Sequence, residues 1–314
     1  MKKPLVILTG PTAVGKSAAS IELAKRIGGE IISADSIQVY KHMDIGSAKI
    51  SHPEMAGVNH HLIDILDPAE EFHVAKFQQL AKAALDQIYA AGHIPIIVGG
   101  TGFYIRALLY DTDFMEAQED TAYRHELTSI AREQGAEFLH RQLRETDPFS
   151  ADVIHPNNVK RVIRALEFYH QTGTRISDHN QRERRRQSPY NFAYFVLNDD
   201  RTKLYRQIDA RVDQMLELGL VEEVEQLKQM GYDRRLVSMQ GLGYKEIYGY
   251  LDGDYTLAEA VYLMKRDSRH FAKRQITWFK RESEVIWVDK ERFQYDGQLI
   301  QDFIIDILKE RTII

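Results

Sequence analysis

Short apolar runs alternate with segments of helical periodicity in the first third of the chain and again near its end. An apolar run of β-branched and branched residues that stops at a turn signal predicts a buried strand. Such runs lie at residues 5–9, 30–34, 62–65, 94–98, 191–197 and 285–289. Segments with apolar positions at helical spacing lie between them, at residues 18–27, 73–91, 199–218, 257–281 and 298–309. Alternating strands and helices predict an α/β fold with a parallel sheet flanked by helices.

The middle of the chain lacks this alternation. Residues 122–134, 136–146 and 158–172 have helical spacing, and no convincing strand lies between them. This change of pattern predicts a helical insertion domain over residues 113–189, within an α/β core formed by residues 1–112 and 190–314. The arginine-rich segment 181–186 before Pro189 is typical of a solvated linker, and contact with a phosphate backbone is the alternative.

The first strand runs into a complete phosphate-binding loop, and the first helix follows it. The motif G-x-x-x-x-G-K-[ST] is formed by Gly10, Pro11, Thr12, Ala13, Val14, Gly15, Lys16 and Ser17. Strand, loop and helix in this order are the context in which backbone N–H groups, a helix N-terminus and a lysine bind a di- or triphosphate. The Ser17 hydroxyl is a candidate ligand for Mg²⁺, the one cofactor we expect. A glycine-rich turn that binds nothing is the alternative.

Two further loops follow predicted strands at the edge of the sheet where such folds bind ligands. Asp35 follows the second strand, and an acid beside a phosphate site suggests a role in proton transfer or cation binding. An N-cap residue is the alternative. The strand at residues 94–98 ends in Gly99-Gly100-Thr101 and lacks the terminal Asp that holds Mg²⁺ in many P-loop NTPases. This absence argues against ATP hydrolysis. Thr101 can donate its hydroxyl to a phosphate or a leaving oxygen, and a plain turn is the alternative.

Composition narrows the function further. The 314 residues contain no cysteine, which excludes disulfides, thiolate zinc sites and a cysteine nucleophile. The net charge of −5 argues against general nucleic-acid binding. His60 and His61 have no further ligands at metal-binding spacing, so we expect hydrogen-bonded or solvated side chains. No apolar run approaches membrane-spanning length, and we expect a cytoplasmic protein with no membrane contact.

A local excess of positive charge contrasts with this acidic total. Between Met264 and Arg281 one acid, Asp267, stands against seven basic residues: Lys265, Arg266, Arg269, Lys273, Arg274, Lys280 and Arg281. A solvated basic surface is one interpretation. Contact with an RNA backbone is the other, because cations clustered on one helix are the usual electrostatic footprint of nucleic-acid binding.

A set of motifs along the whole chain resembles the bacterial tRNA dimethylallyltransferase family, also called tRNA isopentenyltransferase. The set comprises residues 10–17, 35–40 (DSIQVY), 43–49 (MDIGSAK), 98–101 (VGGT), 155–157 (HPN), 241–244 (GLGY) and 272–278 (AKRQITW). The phosphate-binding loop alone is shared by many families, whereas the ordered set is specific. A P-loop small-molecule or nucleotide kinase is the alternative; it requires ATP as the donor and has no use for the basic helix.

The resemblance implies transfer of a dimethylallyl group from dimethylallyl diphosphate to N6 of the adenine next to the anticodon on its 3′ side, with release of pyrophosphate. Lys16, Arg211, the loop N–H groups and Mg²⁺ on Ser17 would stabilise the leaving pyrophosphate. Thr101 would reach the bridging oxygen, and Asp35 would accept the proton of the adenine amino group.

The resemblance also implies which residues contact the anticodon stem-loop of the tRNA. They are Asp35, Ser36, Ile37, Gln38, Thr101, Lys160, Arg161, Val162, Ile163, Arg164, Gln240, Gly241, Leu242, Gly243, Tyr244, Lys245, Arg266, Lys273 and Arg274. The adenine must leave its stack to reach the loop of residues 10–17. We expect the protein to act as a monomer.

Overall fold

The structure, a computed structural model, describes residues 2–114 and 121–314. The chain forms two compact units, one of Met1–Leu109 with Pro189–Ile314, the core unit, and one of Tyr110–Ser188, the helical unit. The sequence predicts that the helical insertion begins after residue 112 and ends before residue 190.

The core unit contains six parallel strands: β1 (Lys3–Thr9), β2 (Gly29–Ser33), β3 (His60–His61), β4 (Ile94–Gly99), β5 (Tyr190–Asn198) and β6 (Val285–Asp289). They form one sheet in the order β3-β2-β4-β1-β5-β6. Strands β1, β4 and β5 are apolar and buried on both faces, as expected for a parallel sheet covered by helices. The predicted α/β fold is therefore confirmed.

Helices cover both faces of this sheet. In the core unit they are α1 (Lys16–Ile27), α2 (His52–Met55), α3 (Val74–Ala90), α4 (Gly102–Leu109), α10 (Arg201–Glu217), α11 (Leu220–Gln229), α12 (Tyr244–Leu251), α13 (Leu257–Phe279) and α14 (Gly297–Glu310). Leu23 of α1, Leu204 of α10 and Ile304 of α14 pack with Val6 and Phe195 in one apolar cluster. Burial of these side chains, worth about 1.5–3 kcal/mol each, fixes the sheet as a rigid support for its loops.

The strand register brings three loops to one edge of the sheet. Thr9 of β1 lies opposite Gly99 of β4, and Ser33 of β2 lies opposite Val98. The loops that follow β1, β2 and β4 therefore begin at the same level. Backbone hydrogen bonds tie two of them together, since Ala34 N donates to Val98 O at 2.7 Å and Thr101 N donates to Ala34 O at 3.3 Å.

The prediction of a strand at residues 62–65 is wrong. The short edge strand β3 lies at His60–His61 and pairs with Ile31 and Ile32 of β2. Leu62 and Asp64 have φ angles of 65° and 58°, which end the extended backbone there. Both histidines are hydrogen-bonded, His61 Nε2 to Glu30 at 2.7 Å and His60 Nδ1 to the Val58 carbonyl at 2.9 Å.

The helical unit contains α5 (Thr121–Glu133), α6 (Ala136–Thr146), α7 (Pro148–Val153), α8 (Val159–Thr172) and α9 (Ile176–Arg184). Its own apolar cluster includes Leu127, Leu139, Leu143 and Leu166. Buried Asp147 caps α7 by accepting from Ser150 N and also accepts from Ser177 N, both at 3.0 Å. The segment predicted as an arginine-rich linker is partly helical, because α9 continues to Arg184. Within the described ranges, no helix of either unit is long and apolar enough to cross a membrane.

Candidate active site

A cleft of about 870 Å³ opens at the edge of the sheet where β1, β2 and β4 end. The loop after each of these strands contributes to its wall, as do α10 and α13. All its lining residues belong to the core unit. Ligand sites of parallel α/β sheets lie in this position, outside the carboxyl ends of the strands.

The loop of residues 10–17 forms the floor of the cleft and is shaped for an anion. Gly10 has a φ of 149°, and a Cβ there would lie 2.4 Å from the Leu197 carbonyl oxygen. A side chain at this position is therefore excluded. Helix α1 begins at Lys16 after left-handed Gly15, and among the described residues no side chain caps its N-terminus. The first N–H groups of α1 are thus available to an oxyanion, favoured by the helix dipole.

Two cations lie beside this loop. Lys16 Nζ donates to the Gly10 and Pro11 carbonyls at 3.1 and 2.8 Å, and burial together with the nearby Arg211 guanidinium lowers the pKa of Lys16 to about 8, against an opposing effect of Asp35. Burial also lowers the pKa of Arg211. Arg211 reaches the loop from α10, with Nη1 3.4 Å from Thr12 Oγ1. Two desolvated cations and one acid leave this part of the cleft positive, which favours a polyanionic ligand.

Asp35 lies in the same cleft, and its carboxylate caps the turn that follows β2. Its Oδ1 accepts from Ile37 N at 2.9 Å and from Gln38 N at 3.3 Å, so one oxygen caps the turn. Its Oδ2 has no hydrogen-bond partner among the described residues. The turn thus fixes the carboxylate, while one oxygen remains able to accept a proton.

Thr101 lines the cleft where β4 gives way to α4. The cleft therefore brings together the four residues predicted to act in catalysis: Lys16, Asp35, Thr101 and Arg211. Lys16 begins α1, Asp35 and Thr101 follow β2 and β4, and Arg211 lies on α10.

Several residues predicted to contact tRNA line this cleft as well: Ser36, Ile37, Gln38, Gln240, Gly241, Leu242, Gly243, Lys245 and Arg274. Tyr244 requires a correction. Its side chain is fully buried, its hydroxyl donates to Glu223 at 2.8 Å, and Ser47 N donates to that hydroxyl at 3.1 Å. The Tyr244 side chain therefore supports the loop at Ser47 and is not available to RNA.

The helical unit needs a similar correction. Lys160, Arg161 and Arg164 of α8 are exposed. Val162 and Ile163 are 0% and 7% exposed and belong to the apolar cluster of that unit. The tRNA prediction for α8 therefore rests on its three cations alone.

Helix α13 divides its basic residues between two roles. Lys265 pairs with Asp213 at 2.6 Å and Arg269 with Asp209 at 2.5 Å, both acids on α10. Arg266 pairs with Asp267 at 2.8 Å. Lys273 and Arg274 are exposed and have no ion pair among the described residues. Two of the seven basic residues therefore join α13 to α10, and Lys273 and Arg274 remain available to an anionic partner.

Two residues that shape the cleft were not predicted from the sequence. Glu223 of α11 accepts from the backbone N–H groups of Asp44, Ile45 and Gly46 at 2.7–3.1 Å and so shapes one wall of the cleft. Gln275 of α13 bonds to two of the cleft loops. Glu223 carried no sequence signal that we recognise, whereas Gln275 lies inside the motif at residues 272–278, which was used only for the resemblance.

A parallel sheet that presents a G-x-x-x-x-G-K-[ST] loop, two desolvated cations and a carboxylate in one cleft defines an α/β protein of the P-loop type. The model of the IPP transferase family matches residues 38–282. The chain belongs to that family, and the resemblance found in its motifs is confirmed.

The similarity to individual relatives extends over nine tenths of the chain or more. A tRNA dimethylallyltransferase of Lachnoclostridium phytofermentans is 60% identical over 312 residues, which are 99% of each chain. The crystal structure of the full-length tRNA isopentenylpyrophosphate transferase of Bacillus halodurans is 46% identical, with a TM-score of 0.74 over 99% of this chain and 98% of that one. A eukaryotic dimethylallyltransferase, solved acting on tRNA, is 30% identical, with a TM-score of 0.79 over 91% of this chain and 74% of that one.

Proposed function

We propose that this protein transfers a dimethylallyl group from dimethylallyl diphosphate to N6 of the adenine adjacent to the anticodon of tRNA on its 3′ side, releasing pyrophosphate. The observation that carries the proposal is one cleft that holds Lys16, Arg211, Asp35 and Thr101. The names of its relatives, tRNA dimethylallyltransferases and tRNA isopentenylpyrophosphate transferase, support the same activity.

The donor diphosphate would lie on the loop of residues 10–17. Breaking the allylic C–O bond leaves its electron pair, and so a developing negative charge, on pyrophosphate. The Lys16 ammonium, the Arg211 guanidinium and the N–H groups at the start of α1 surround that position and would stabilise the charge as it forms. A donor that loses pyrophosphate transfers no γ-phosphoryl group. This agrees with the end of β4, where glycines stand in place of the Asp that holds Mg²⁺ in many P-loop NTPases. We therefore propose a diphosphate ligand for this loop instead of ATP.

The residues present fit a magnesium ion that is carried on the diphosphate. Ser17 is exposed in the first turn of α1 and is the residue that would hold it. In the described parts of the chain, His, Asp and Glu form no cluster of three that could hold a metal, so diphosphate oxygens would complete its ligands. When bound, Mg²⁺ neutralises charge on the diphosphate.

The acceptor chemistry would fall to Asp35 and Thr101. The adenine N6 lone pair forms the new C–N bond while the C–O bond breaks, and N6 then carries a proton in excess. Asp35 would accept this proton through the oxygen that the turn does not use. Thr101 would donate its hydroxyl to the bridging oxygen as that oxygen gains charge. An adenine stacked in an anticodon loop cannot enter the cleft, so the base must be flipped out.

The RNA backbone would be held by exposed cations on both units. In the core unit these are Lys273 and Arg274, and in the helical unit Lys160, Arg161 and Arg164. Lys245, which is half-buried and lies near Glu246 and Asp267, would add to them from the cleft. Gln38 and Gln240, which line the cleft, have side chains able to hydrogen-bond a flipped base.

Product analysis tests this proposal. The protein, Mg²⁺ and dimethylallyl diphosphate are incubated with an unmodified anticodon stem-loop, and the RNA is digested and analysed by mass spectrometry. Adenosine bearing one dimethylallyl group on N6 is the expected product. A stem-loop with guanosine at that position carries an oxygen at C6 in place of the amino group and should remain unmodified. Modification of that control, or none of either RNA, would refute the proposal.

A further inference from the structure

A buried glutamine joins two loops of the cleft. Gln275 of α13 is 6% exposed. Its Oε1 accepts from Thr12 N at 2.9 Å, and its Nε2 donates to Gly100 O at 3.0 Å. Thr12 belongs to the loop of residues 10–17, and Gly100 directly precedes Thr101. One side-chain amide thus fixes the spacing of the two loops; we call this arrangement the Gln275 bridge.

We propose that Gln275 is a positioning residue that holds Thr101 at a set distance from the diphosphate loop. The inference rests on the proposed function for what the two loops do, and on geometry for the bridge itself. Gln275 acts through Thr12 and Gly100, with both groups of its amide already engaged. Its effect is therefore on the alignment of Thr101 with the leaving oxygen, where an error of about 1 Å costs roughly 10²-fold in rate.

The Gln275 bridge leaves no room for a side chain at Gly100. A Cβ at Gly100 would lie 2.1 Å from Gln275 Nε2, whereas its next contacts are Gln275 Cδ at 3.3 Å and the Gly10 carbonyl oxygen at 3.7 Å. A methyl group at this position would displace the amide and disturb little else. Gly100→Ala therefore breaks the same bridge from the opposite side.

The position of Gln275 on α13 also links the donor loops to the proposed RNA surface. Arg274 precedes it and lines the same cleft, and Lys273 is exposed one residue earlier. One helix turn thus carries both the cations for RNA and the amide that spaces the donor loops.

A double-mutant cycle tests the bridge. Gln275→Ala and Gly100→Ala should each lower kcat by roughly 10- to 100-fold through misalignment. Pyrophosphate affinity should change by less than about threefold, because Lys16, Arg211 and the loop N–H groups remain. The double variant should lose no more kcat than the worse single variant, since both changes remove one interaction. Losses that multiply, or unchanged kcat in either single variant, would overturn the inference.

Gln275→Glu adds a pH profile that a purely structural role would not produce. A protonated carboxyl group has an O–H donor and a carbonyl acceptor and can replace both bonds of the amide, whereas the carboxylate has no donor for Gly100 O. The kcat of Gln275→Glu relative to the unaltered protein should therefore rise as the pH is lowered toward the pKa of the introduced carboxyl group. A ratio that stays constant with pH contradicts the bridge.

Hydrogen exchange tests the bridge without reference to the reaction. In Gln275→Ala, residues 10–16 and 99–104 should both exchange faster. The matched control is Gln78→Ala, which removes another buried amide that donates to a carbonyl, Ala107 O at 2.9 Å, outside the cleft. It should leave both loops unchanged. Unaltered exchange in Gln275→Ala refutes the bridge but not the proposed function. Absence of dimethylallyl transfer by the unaltered protein refutes the proposed function, and the bridge is then tested by hydrogen exchange alone.

Discussion

Asp35 shows how one carboxylate can be both a structural cap and a candidate base. Its Oδ1 is held by Ile37 N and Gln38 N, and an asparagine oxygen can accept the same bonds. Asp35→Asn should therefore keep the turn and the diphosphate site but lose the proton acceptor. We expect turnover to fall roughly 10²- to 10⁴-fold, the usual worth of a positioned base, while calorimetric affinity for pyrophosphate is kept or strengthened.

The alternative roles of Asp35 give other results in these two assays. A cap without a catalytic role predicts nearly normal turnover, because Asn is as good a cap as Asp. A magnesium ligand predicts that affinity for the Mg²⁺-diphosphate falls together with the rate. Nearly normal turnover would contradict the catalytic role.

Lys16 predicts a pH dependence for diphosphate binding. Burial and Arg211 lower its pKa to about 8 in the free protein, so the ammonium is present below pH 8 and is lost above it. Because binding an anion needs the ammonium, pyrophosphate affinity should fall by up to about tenfold per pH unit above 8. Lys16→Arg is the control, since arginine stays charged throughout. The ratio of the two affinities removes the titration of the ligand, and a ratio that is flat from about pH 7 to 10 would argue against this role of Lys16.

At the scale of elements, α13 offers a matched comparison between exposed and paired cations. Replacing Lys273 and Arg274 by alanine should weaken tRNA binding and flatten its log–log salt dependence by about one unit for each phosphate that the variant no longer neutralises. Replacing Lys265 and Arg269, which pair with Asp213 and Asp209, removes equal charge but should leave the slope nearly unchanged. Equal slopes in the two double variants would assign α13 to a plain basic surface.

The elements that were predicted correctly are those with a strong local period. Strand β6 (Val285–Asp289) matches its predicted bounds, and α3 and α13 match within a few residues. Short elements were missed because tertiary contacts create them. Helix α7 depends on the cap by buried Asp147, and β3 exists because Ile31 and Ile32 pair with it. A two-residue edge strand has no period to detect.

At the scale of the whole molecule, the sequence predicted which residues of the loops meet in the cleft but not the long-range contacts that hold these loops in place. The motif order located Lys16, Asp35 and Thr101, because each follows a strand and parallel strands end at one edge. It could not show that Gln275 reaches Thr12 across 263 positions or that Glu223 reaches Gly46 across 177. It also could not separate buried Val162 and Tyr244 from their exposed neighbours, since burial depends on what packs against them.

The helical unit should contribute to RNA affinity and not to donor binding. Replacing Lys160, Arg161 and Arg164 by alanine should weaken stem-loop binding in a salt-dependent way and leave calorimetric pyrophosphate affinity unchanged, because the diphosphate loop lies in the other unit. Arg144→Ala, which breaks an exposed ion pair with Asp152 in the same unit, is the control and should affect neither. Unchanged RNA affinity in the triple variant would remove α8 from the proposed interface.

A competition between the two donor chemistries tests the central claim most directly. Dimethylallyl diphosphate labelled with ¹⁴C and ATP labelled with ³²P on its γ-phosphate are offered together to the protein with Mg²⁺ and an unmodified stem-loop, and both labels are followed. A cleft built for a leaving pyrophosphate predicts ¹⁴C in the RNA, one pyrophosphate released per transfer, and the same rate when ATP is omitted. Transfer of ³²P to an acceptor, or a reaction that requires ATP, would contradict the account and identify a kinase.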